Sequence, residues 1–435
     1  GKTSALLPDG KGGLKEYDVR EMHSLRVSRE SRIKFEKLIG FLPESPKFEK
    51  LKILNESVEA YHDLPIDAID SLVYLGEEQV YDLTESLTHT FVANGITVHN
   101  CSEYMFLNNS ACNLASLNLM KFRKPEGDFD LESFCKAVDL FITSQDILVS
   151  QASYPESEIA EMSDKFRPLG LGFANLGAYI MSLGISYDSE EARDFGAAVA
   201  SLMTAEAYLQ STKLAEKVGA FKEYEKNKEP MLQVMEMHKK AAKQIAARNS
   251  LEGLVNKIKV TAIKKWDEGI ERGKVYGYRN AQATLLAPTG TIGFMMDCDT
   301  TGCEPDMALK KYKELAGGGS MTIVNQTVPM ALEKLGYNAE KIKEIVKYID
   351  EKGMVEGCNE LKEEHLPVFD CSMQSGDGTR VIHPMGHIKM LGALQPHLSG
   401  AISKTVNCPE STTVEEIEEM FYQAWKLGIK AVAIY

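Results

Sequence analysis

The chain has no uninterrupted apolar run of the roughly 20 residues that a membrane-spanning helix needs. It is also short of positive charge, since 49 Lys and Arg stand against 63 Asp and Glu, for a formal net charge of −14. An acidic balance of this size argues against a protein that binds nucleic acid over its whole length. Composition therefore disfavours two classes, the integral membrane protein and the general nucleic-acid-binding protein.

The chain also lacks a closely spaced, paired set of cysteines. Its eight cysteines are scattered over 435 residues, and no secretory signal precedes them. Such a pattern is typical of the reducing cytosol, where thiols are free, metal-bound or catalytic, and not of a secreted disulfide framework. We therefore expect a cytoplasmic protein, long enough for two or three domains with cores of their own.

The local pattern changes near residue 100. Before it, short β-rich runs occur, and the Asn94-Gly95 pair between two of them is a typical hairpin signal. After it, short apolar runs such as 169–174 and 283–287 alternate with longer stretches in which apolar residues recur at three- and four-residue spacing. This alternation predicts an α/β domain. The spacing predicts amphipathic helices over 131–151, 189–218 and 230–249.

The tripeptide at the change of pattern has chemistry of its own. The side-chain amide of Asn100 can attack its own main-chain carbonyl and release the residue that follows. His99 is a natural proton donor to the leaving amine near neutral pH. The thiol of Cys101 can accept an acyl group beforehand. Taken alone, a His-Asn-Cys tripeptide is more simply a chance occurrence.

Three further segments of the same pattern stand in order before the tripeptide, at residues 81–84, 89–91 and 93–95. Together with it they resemble the C-terminal splicing blocks of inteins. The resemblance implies that Asn100 cyclises, that His99 assists it, and that Cys101 is the first extein residue and the transesterification nucleophile. Asp82 and His89 fall on the assisting positions of the upstream block. A small β fold of the Hint type and a missing N-terminal intein and extein segment are also implied.

A second reading concerns the residues after the junction. The thiol of Cys101 can carry a radical that abstracts a hydrogen atom from carbon, and the carboxylate of Glu103 can act as a general base on a neighbouring hydroxyl. A second thiol, Cys112, can donate reducing equivalents and end in a disulfide. Any one of these residues alone is more simply explained as packing.

The wider sequence from residue 101 to the end is similar to ribonucleotide reductases, specifically the adenosylcobalamin-dependent class. The matching blocks stand in family order at 101–107, 111–119, 167–172, 287–292, 302–306, 383–389, 399–405 and 425–428. The resemblance implies the C-terminal part of a ten-stranded α/β barrel, with the radical cysteine on a loop inside it.

The resemblance also implies roles for single residues. Cys101 matches the thiyl-radical cysteine that abstracts the ribose 3′ hydrogen, and Glu103 matches the carboxylate that takes the 3′-hydroxyl proton. Cys112 matches one of two cysteines that deliver electrons as the 2′ water leaves, and Ser102 is expected to contact substrate. The Asn expected just before the radical cysteine, the second redox cysteine and most of the allosteric site are expected on the missing N-terminal segment.

A turn after the apolar run 283–287 is the candidate phosphate site. It contains Gly and two hydroxyls, and such a turn can offer main-chain N–H groups and side-chain hydroxyls to phosphate. By itself it is more simply a plain turn, but it resembles the substrate-diphosphate loop of the family. Its residues are Pro288, Thr289, Gly290, Thr291 and Ile292.

The class of reductase follows from a missing feature. The iron-dependent class has two adjacent tyrosines near its C-terminus, where Ala433 and Ile434 stand here. Their absence favours adenosylcobalamin as the cofactor. The implied partners are a ribonucleoside diphosphate substrate, a dithiol reductant such as thioredoxin, and a second copy of the chain in a homodimer. We expect no metal ligated by side chains, because Pro384 and Gly386 interrupt the His383–His387 pair.

These observations divide the chain into three predicted parts. Residues 1–60 form the first, in which 22–41 resemble the tail of a homing-endonuclease insert, although a basic helix explains that run nearly as well. Residues 61–100 are the C-terminal splicing region of an intein, and residues 101–435 are the reductase barrel. Two other classes stay open: a self-cleaving or splicing element with an inert passenger, and a nucleotide-binding module without catalysis.

Overall fold

The computed structural model describes residues 102–314, 320–409 and 411–435, the helical positions 50 and 52, and four strands before residue 102. Contacts divide the chain into two units, residues 1–80 and 81–435. The early strands are β1 (Ser4–Pro8), β2 (Leu14–Asp18), β3 (Thr90–Ala93) and β4 (Ile96–His99). In the first unit β1 pairs antiparallel with β2. In the second unit β3 pairs antiparallel with β4 across two residues, which confirms the hairpin predicted there.

The described remainder of the second unit is mostly helical. Its helices are α1 (Leu131–Gln151), α2 (Ser157–Phe166), α3 (Leu176–Ser182), α4 (Glu190–Val218), α5 (Tyr224–Gln244), α6 (Glu252–Tyr276), α7 (Gly290–Met295), α8 (Thr327–Lys334), α9 (Ala339–Lys352), α10 (Pro384–Leu394) and α11 (Val414–Lys426). Its strands are β5 (Asn113–Asn118), β6 (Leu169–Ala174), β7 (Lys310–Glu314), β8 (Ser320–Val324), β9 (Thr405–Val406) and β10 (Ala433–Ile434). The predicted α/β class is confirmed, with fewer strands than a ten-stranded barrel has.

Five parallel segments stand side by side in chain order. β5 pairs with β6, and β6 is bridged to the segment 283–286 between Leu171 and Thr284. That segment is bridged in turn to 401–406 between Leu286 and Ile402. The last segment ends in β9, which pairs with β10. Helices lie between successive strands in the sequence, as parallel pairing requires of its crossover connections.

Close contact between strands depends on glycine in β6. A Cβ atom at Gly172 would lie 2.6 Å from the main-chain oxygen of Leu285, in the next strand. A Cβ at Gly170 would lie 2.6 Å from a methyl carbon of Leu114 in β5. Every residue of β6 is buried. The strand is therefore central and covered on both faces, as is usual in parallel sheets.

The helix predictions succeed and fail for local reasons. α1 begins and ends as predicted, and Asp130 caps it by accepting a hydrogen bond from the main-chain N–H of Ser133. α4 starts one residue after the predicted position, behind the cap Ser189. The prediction for 230–249 is wrong at both ends, because α5 begins at Tyr224 and ends at Gln244. Tyr224 is buried and packs on neighbouring aromatic rings, which favours an earlier start.

The main hydrophobic core lies between the parallel strands and the long helices. α4 is buried on nearly all sides, which is typical of a helix enclosed by others. Trp266 of α6 and Tyr208 of α4 are fully buried, with ring centroids 6.2 Å apart. A smaller core forms around α8 and α9. Among the described residues, no helix is long and apolar enough to cross a membrane.

Candidate active site

Glu103 lies on the loop before β5 and is held against the fourth parallel segment. The main-chain N–H of Ala401 donates a 2.9 Å hydrogen bond to the carbonyl oxygen of Glu103. The Glu103 side chain is only 4% exposed, and its Oε2 has no hydrogen-bond partner among the described residues. A buried carboxylate oxygen without a donor is costly. Such an atom is available to accept a proton from a ligand.

Cys112 lies close enough to Glu103 for their charges to interact. Burial, together with the negative charge of Glu103, raises the pKa of the Cys112 thiol to about 12. The group is therefore a protonated thiol at neutral pH. This state suits a donor of hydrogen and electrons better than a thiolate nucleophile. The predicted carboxylate therefore acts electrostatically on the predicted redox thiol.

The loop between these two residues is held by its own hydrogen bonds. The hydroxyls of Tyr104 and Ser110 lie 2.8 Å apart, and Ser110 also donates to the carbonyl of Leu107 at 2.5 Å. The main-chain N–H of Ala111 donates to the hydroxyl of Ser163 at 3.0 Å. The loop is therefore attached both to itself and to α2.

The residues of the predicted junction are described only in part. His99 is the last residue of β4 and pairs with Thr90. The predicted substrate residue Ser102 is half-buried, directly before Glu103. The predicted splicing residues Asp82, His89 and Asn100, and the predicted radical cysteine Cys101, lie outside the described residues.

The predicted phosphate turn follows the third parallel segment directly. Thr289 is buried in a left-handed conformation with φ of +52°, and its hydroxyl accepts a 2.6 Å hydrogen bond from the N–H of Gly302. The Thr289 hydroxyl is therefore partly used within the protein. Gly290, Thr291 and Ile292 are exposed. Of the two hydroxyls in the turn, only that of Thr291 lies on the surface.

The predicted phosphate turn and the loop of Glu103 lie close to the same end of the parallel strands. The N–H of Leu286 donates to the carbonyl of Ala401 at 3.1 Å, and Ala401 is the residue that holds Glu103. Leu286 comes two residues before Pro288. Two strand residues span roughly 7 Å. The structure therefore places the loop of Glu103 and the start of the predicted phosphate turn within reach of one small substrate.

Two asparagines that the sequence reasoning missed hold the chain just beyond this turn, at residues 296 and 300. Asn175 Nδ2 donates to Asn118 Oδ1 at 3.0 Å, and Asn175 Oδ1 accepts from the N–H of Thr300 at 3.0 Å. Asn118 Nδ2 donates to the carbonyl of Met296 at 3.1 Å. Both asparagines end parallel strands, at the edge where α/β proteins place their ligands. A polar residue directly after an apolar strand was the signal that could have found them.

Histidine does not form a metal site in the described part of the chain, where no cluster of three metal-ligating side chains occurs. His383 caps α10 by accepting at Nδ1 from the N–H of Met385 at 3.2 Å. His387, one turn on, is fully buried. The first of these residues has the turn role that the intervening Pro384 suggested.

An α/β domain with parallel strands, a buried carboxylate and an adjacent protonated thiol fits an enzyme of thiol redox chemistry. The family model described as "Ribonucleotide reductase, barrel domain" matches residues 86–435. The chain belongs to this family. The match begins before the predicted junction at residues 100 and 101, so it does not mark that boundary.

Individual relatives agree with the family match. The chain is 49% identical over 396 residues to a "Vitamin B12-dependent ribonucleotide reductase" of Rhodopirellula baltica, covering 90% of this chain and 36% of the relative. It is 50% identical over 361 residues to a protein of the same name in Streptomyces clavuligerus, covering 82% and 37%. A "Vitamin B12-dependent ribonucleoside-diphosphate reductase" of Mycobacterium tuberculosis is 27% identical over 335 residues, covering 77% and 40%. The chain thus spans well under half the length of these relatives.

Proposed function

We propose that residues 101–435 are the C-terminal part of a catalytic barrel that reduces ribonucleoside diphosphates to deoxyribonucleotides. The observation that carries the proposal is the buried, unpartnered Oε2 of Glu103 beside the protonated thiol of Cys112. Family membership supports the reaction class. The printed name of the Mycobacterium tuberculosis relative supports the diphosphate. The five parallel segments would form half of a ten-stranded barrel.

Each residue has a part in the proposed reaction. The Cys101 thiyl takes the 3′ hydrogen of the ribose while Glu103 takes the proton of the 3′ hydroxyl. The 2′ hydroxyl then leaves as water, and Cys112 with a second thiol supplies two electrons and two protons and becomes a disulfide. Cys101 finally returns the hydrogen atom to C3′ and is again a thiyl. A dithiol such as thioredoxin reduces that disulfide for the next turnover. The main-chain N–H groups and the Thr291 hydroxyl of the exposed turn bind the diphosphate.

The proposed cofactor is adenosylcobalamin, in line with the names of the relatives. When bound, it supplies the radical that converts the Cys101 thiol into a thiyl. The described groups fit this chemistry, because Cys112 is kept as a thiol by burial and by the charge of Glu103. The described residues identify no contact with the cofactor itself. A homodimer in the cytoplasm completes the proposal.

A chimera tests the reaction. Residues 101–435 replace the matching part of the Streptomyces clavuligerus relative, which is 50% identical, and conversion of GDP to dGDP is measured with adenosylcobalamin and dithiothreitol. We expect product, and none from Cys101→Ser. A folded chimera that binds GDP without forming dGDP would instead identify a binding module without catalysis.

We also propose that the chain undergoes splicing chemistry between Asn100 and Cys101. The end of β4 at His99 supports this, because a strand end fixes the main chain one residue before Asn100. Intact-mass measurement on the freshly purified chain and on Asn100→Ala tests it. Cleavage at this bond in the unsubstituted chain alone is the expected result. The same cleavage in Asn100→Ala would contradict the role of Asn100.

A further inference from the structure

A buried ion pair outside the proposed catalytic residues joins two parts of the site. The Lys404 side chain is completely buried, and its Nζ lies 2.5 Å from Oε2 of Glu304. The same Nζ donates to Nδ1 of His387 at 2.6 Å and to the carbonyl of Thr405 at 2.9 Å. All three N–H donors of the ammonium group are therefore used.

Glu304 holds the fourth parallel segment with both carboxylate oxygens. Oε2 accepts from Lys404, and Oε1 accepts from the main-chain N–H of Thr405 at 2.9 Å. These contacts join residue 304 to the strand whose first residue, Ala401, bonds the main chain of Glu103. One member of the ion pair, Lys404, therefore belongs to the strand that is hydrogen-bonded to the loop of Glu103.

The other member, Glu304, belongs to a turn that contacts the predicted phosphate turn. The N–H of Glu304 donates to the carbonyl of Thr301 at 2.8 Å, which closes a tight turn. Within it, the N–H of Gly302 donates to the hydroxyl of Thr289. A Cβ at Gly302, where φ is +48°, would lie 3.0 Å from the carbonyl oxygen of Ala287. The turn formed by residues 301–304 therefore lies directly against Ala287 and Thr289, on either side of Pro288.

His387 keeps this arrangement constant with pH. Its Nδ1 accepts from Lys404, so the ring is neutral and carries its proton on Nε2. Burial, with the positive charge of Lys404 as a second cause, lowers the pKa of His387 to about 2. The ring therefore remains an acceptor throughout the neutral range.

A buried ion pair is weak evidence of a stabilising role, because desolvation offsets much of its attraction. Its geometric effect is more specific. We propose that Glu304 and Lys404 are positioning residues that hold the phosphate turn in register with the strand that is hydrogen-bonded to Glu103. This inference deepens the proposed function, since it concerns the alignment of the diphosphate with the catalytic carboxylate.

Hydrogen exchange on the full chain without nucleotide tests the inference. In Glu304→Gln we expect the main-chain amides of 289–296 and 300–303 to exchange at least about tenfold faster, as the loss of a charged hydrogen bond implies. The amides of α9, in the separate smaller core, should keep their rates. Lys404→Met should give the same local pattern.

Glu206→Gln is the matched control. The Glu206 carboxylate is also buried and pairs with Lys265 at 2.8 Å, but between α4 and α6. The Glu206→Gln variant should leave the hydrogen-exchange rates of the main-chain amides in 289–303 unchanged. Unchanged rates in Glu304→Gln, or equal acceleration of all peptides including α9, would overturn the inference.

If Glu304→Gln does not fold, Glu304→Asp keeps the charge on a shorter side chain and is read in the same way. Because no nucleotide is present, this measurement stands apart from the chimera assay. A failure of the reductase proposal would therefore leave the exchange result intact, and the reverse is also true.

Discussion

Removal of the Asp146 carboxylate should destabilise the second unit strongly. Arg167 is 2% exposed, and its Nε donates to Asp146 Oδ1 at 2.8 Å. The same carboxylate accepts from Arg279 at 3.3 Å and from Asn280 at 3.0 Å. In Asp146→Ala the buried guanidinium of Arg167 loses its buried carboxylate partner and keeps only the partly exposed Asp164 as a partner of opposite charge. The expected loss is about 3–5 kcal/mol of unfolding free energy.

Urea unfolding followed by tryptophan fluorescence measures this loss. Both tryptophans, Trp266 and Trp425, lie in the unit 81–435, so the signal reports that unit alone. With a urea dependence of about 3 kcal/mol per molar, the midpoint should fall by roughly 1 M or more.

Asp164→Ala is the control for this experiment. Asp164 also contacts Arg167, at 3.3 Å, but its side chain is 43% exposed. Removal of the Asp164 carboxylate should lower the free energy of unfolding by less than about 1 kcal/mol. If Asp146→Ala were no more destabilised than Asp164→Ala, the reasoning from burial would be refuted.

Two further predictions concern stability. Burial lowers the pKa of His238 to about 4 and that of His397 to about 3, so the unfolded chain binds more protons below pH 6.5. The free energy of unfolding, measured by the urea midpoint, should therefore fall as the pH drops from 6.5 toward 4. Asp139 opposes part of this fall, because burial raises its pKa to about 6. A urea midpoint that stays constant over this range would contradict the prediction. Gly172→Ala should lower the free energy of unfolding by about 1–3 kcal/mol, because the added methyl group would meet the carbonyl of Leu285. A urea midpoint equal to that of the unsubstituted chain would show that the two strands can move apart to accept the methyl group.

Local signals were sufficient for part of the fold. The run 169–174 is apolar throughout and becomes the central strand β6. α1 combines a regular apolar spacing with the cap Asp130, and its predicted bounds agree with the structure. Patterns of this kind depend on neighbouring residues only, so the sequence displays them directly.

Other parts depend on distant partners. The segment 401–406 contains a lysine and two hydroxyl residues, which disguises a buried strand. Lys404 can be buried there because Glu304 and His387, far away in sequence, use its donors. α6 was not predicted at all, although it spans Glu252–Tyr276. Its charged outer face masks the apolar side that packs on α4.

The site shows the same division. The family resemblance implied that Glu103 and Cys112 share a loop, and in the structure the charge of Glu103 acts on the Cys112 thiol. The hydrogen bond between Asn118 and Asn175, beside the chain that follows the phosphate turn, could not be predicted from the sequence. It requires the ends of two strands to be adjacent in space. The candidate carboxylate and thiol were thus easier to find than the residues that hold the chain beyond the turn.

The role of Glu103 as general base is the central claim, and the chimera with Glu103→Gln tests it most directly. We predict that dGDP formation falls by about 10²–10⁴-fold, the range typical of a lost general base. Glu132→Gln, at a carboxylate that is 79% exposed on α1, should leave the rate unchanged. A Glu103→Gln chimera that forms dGDP at the rate of the unsubstituted chimera would contradict the account.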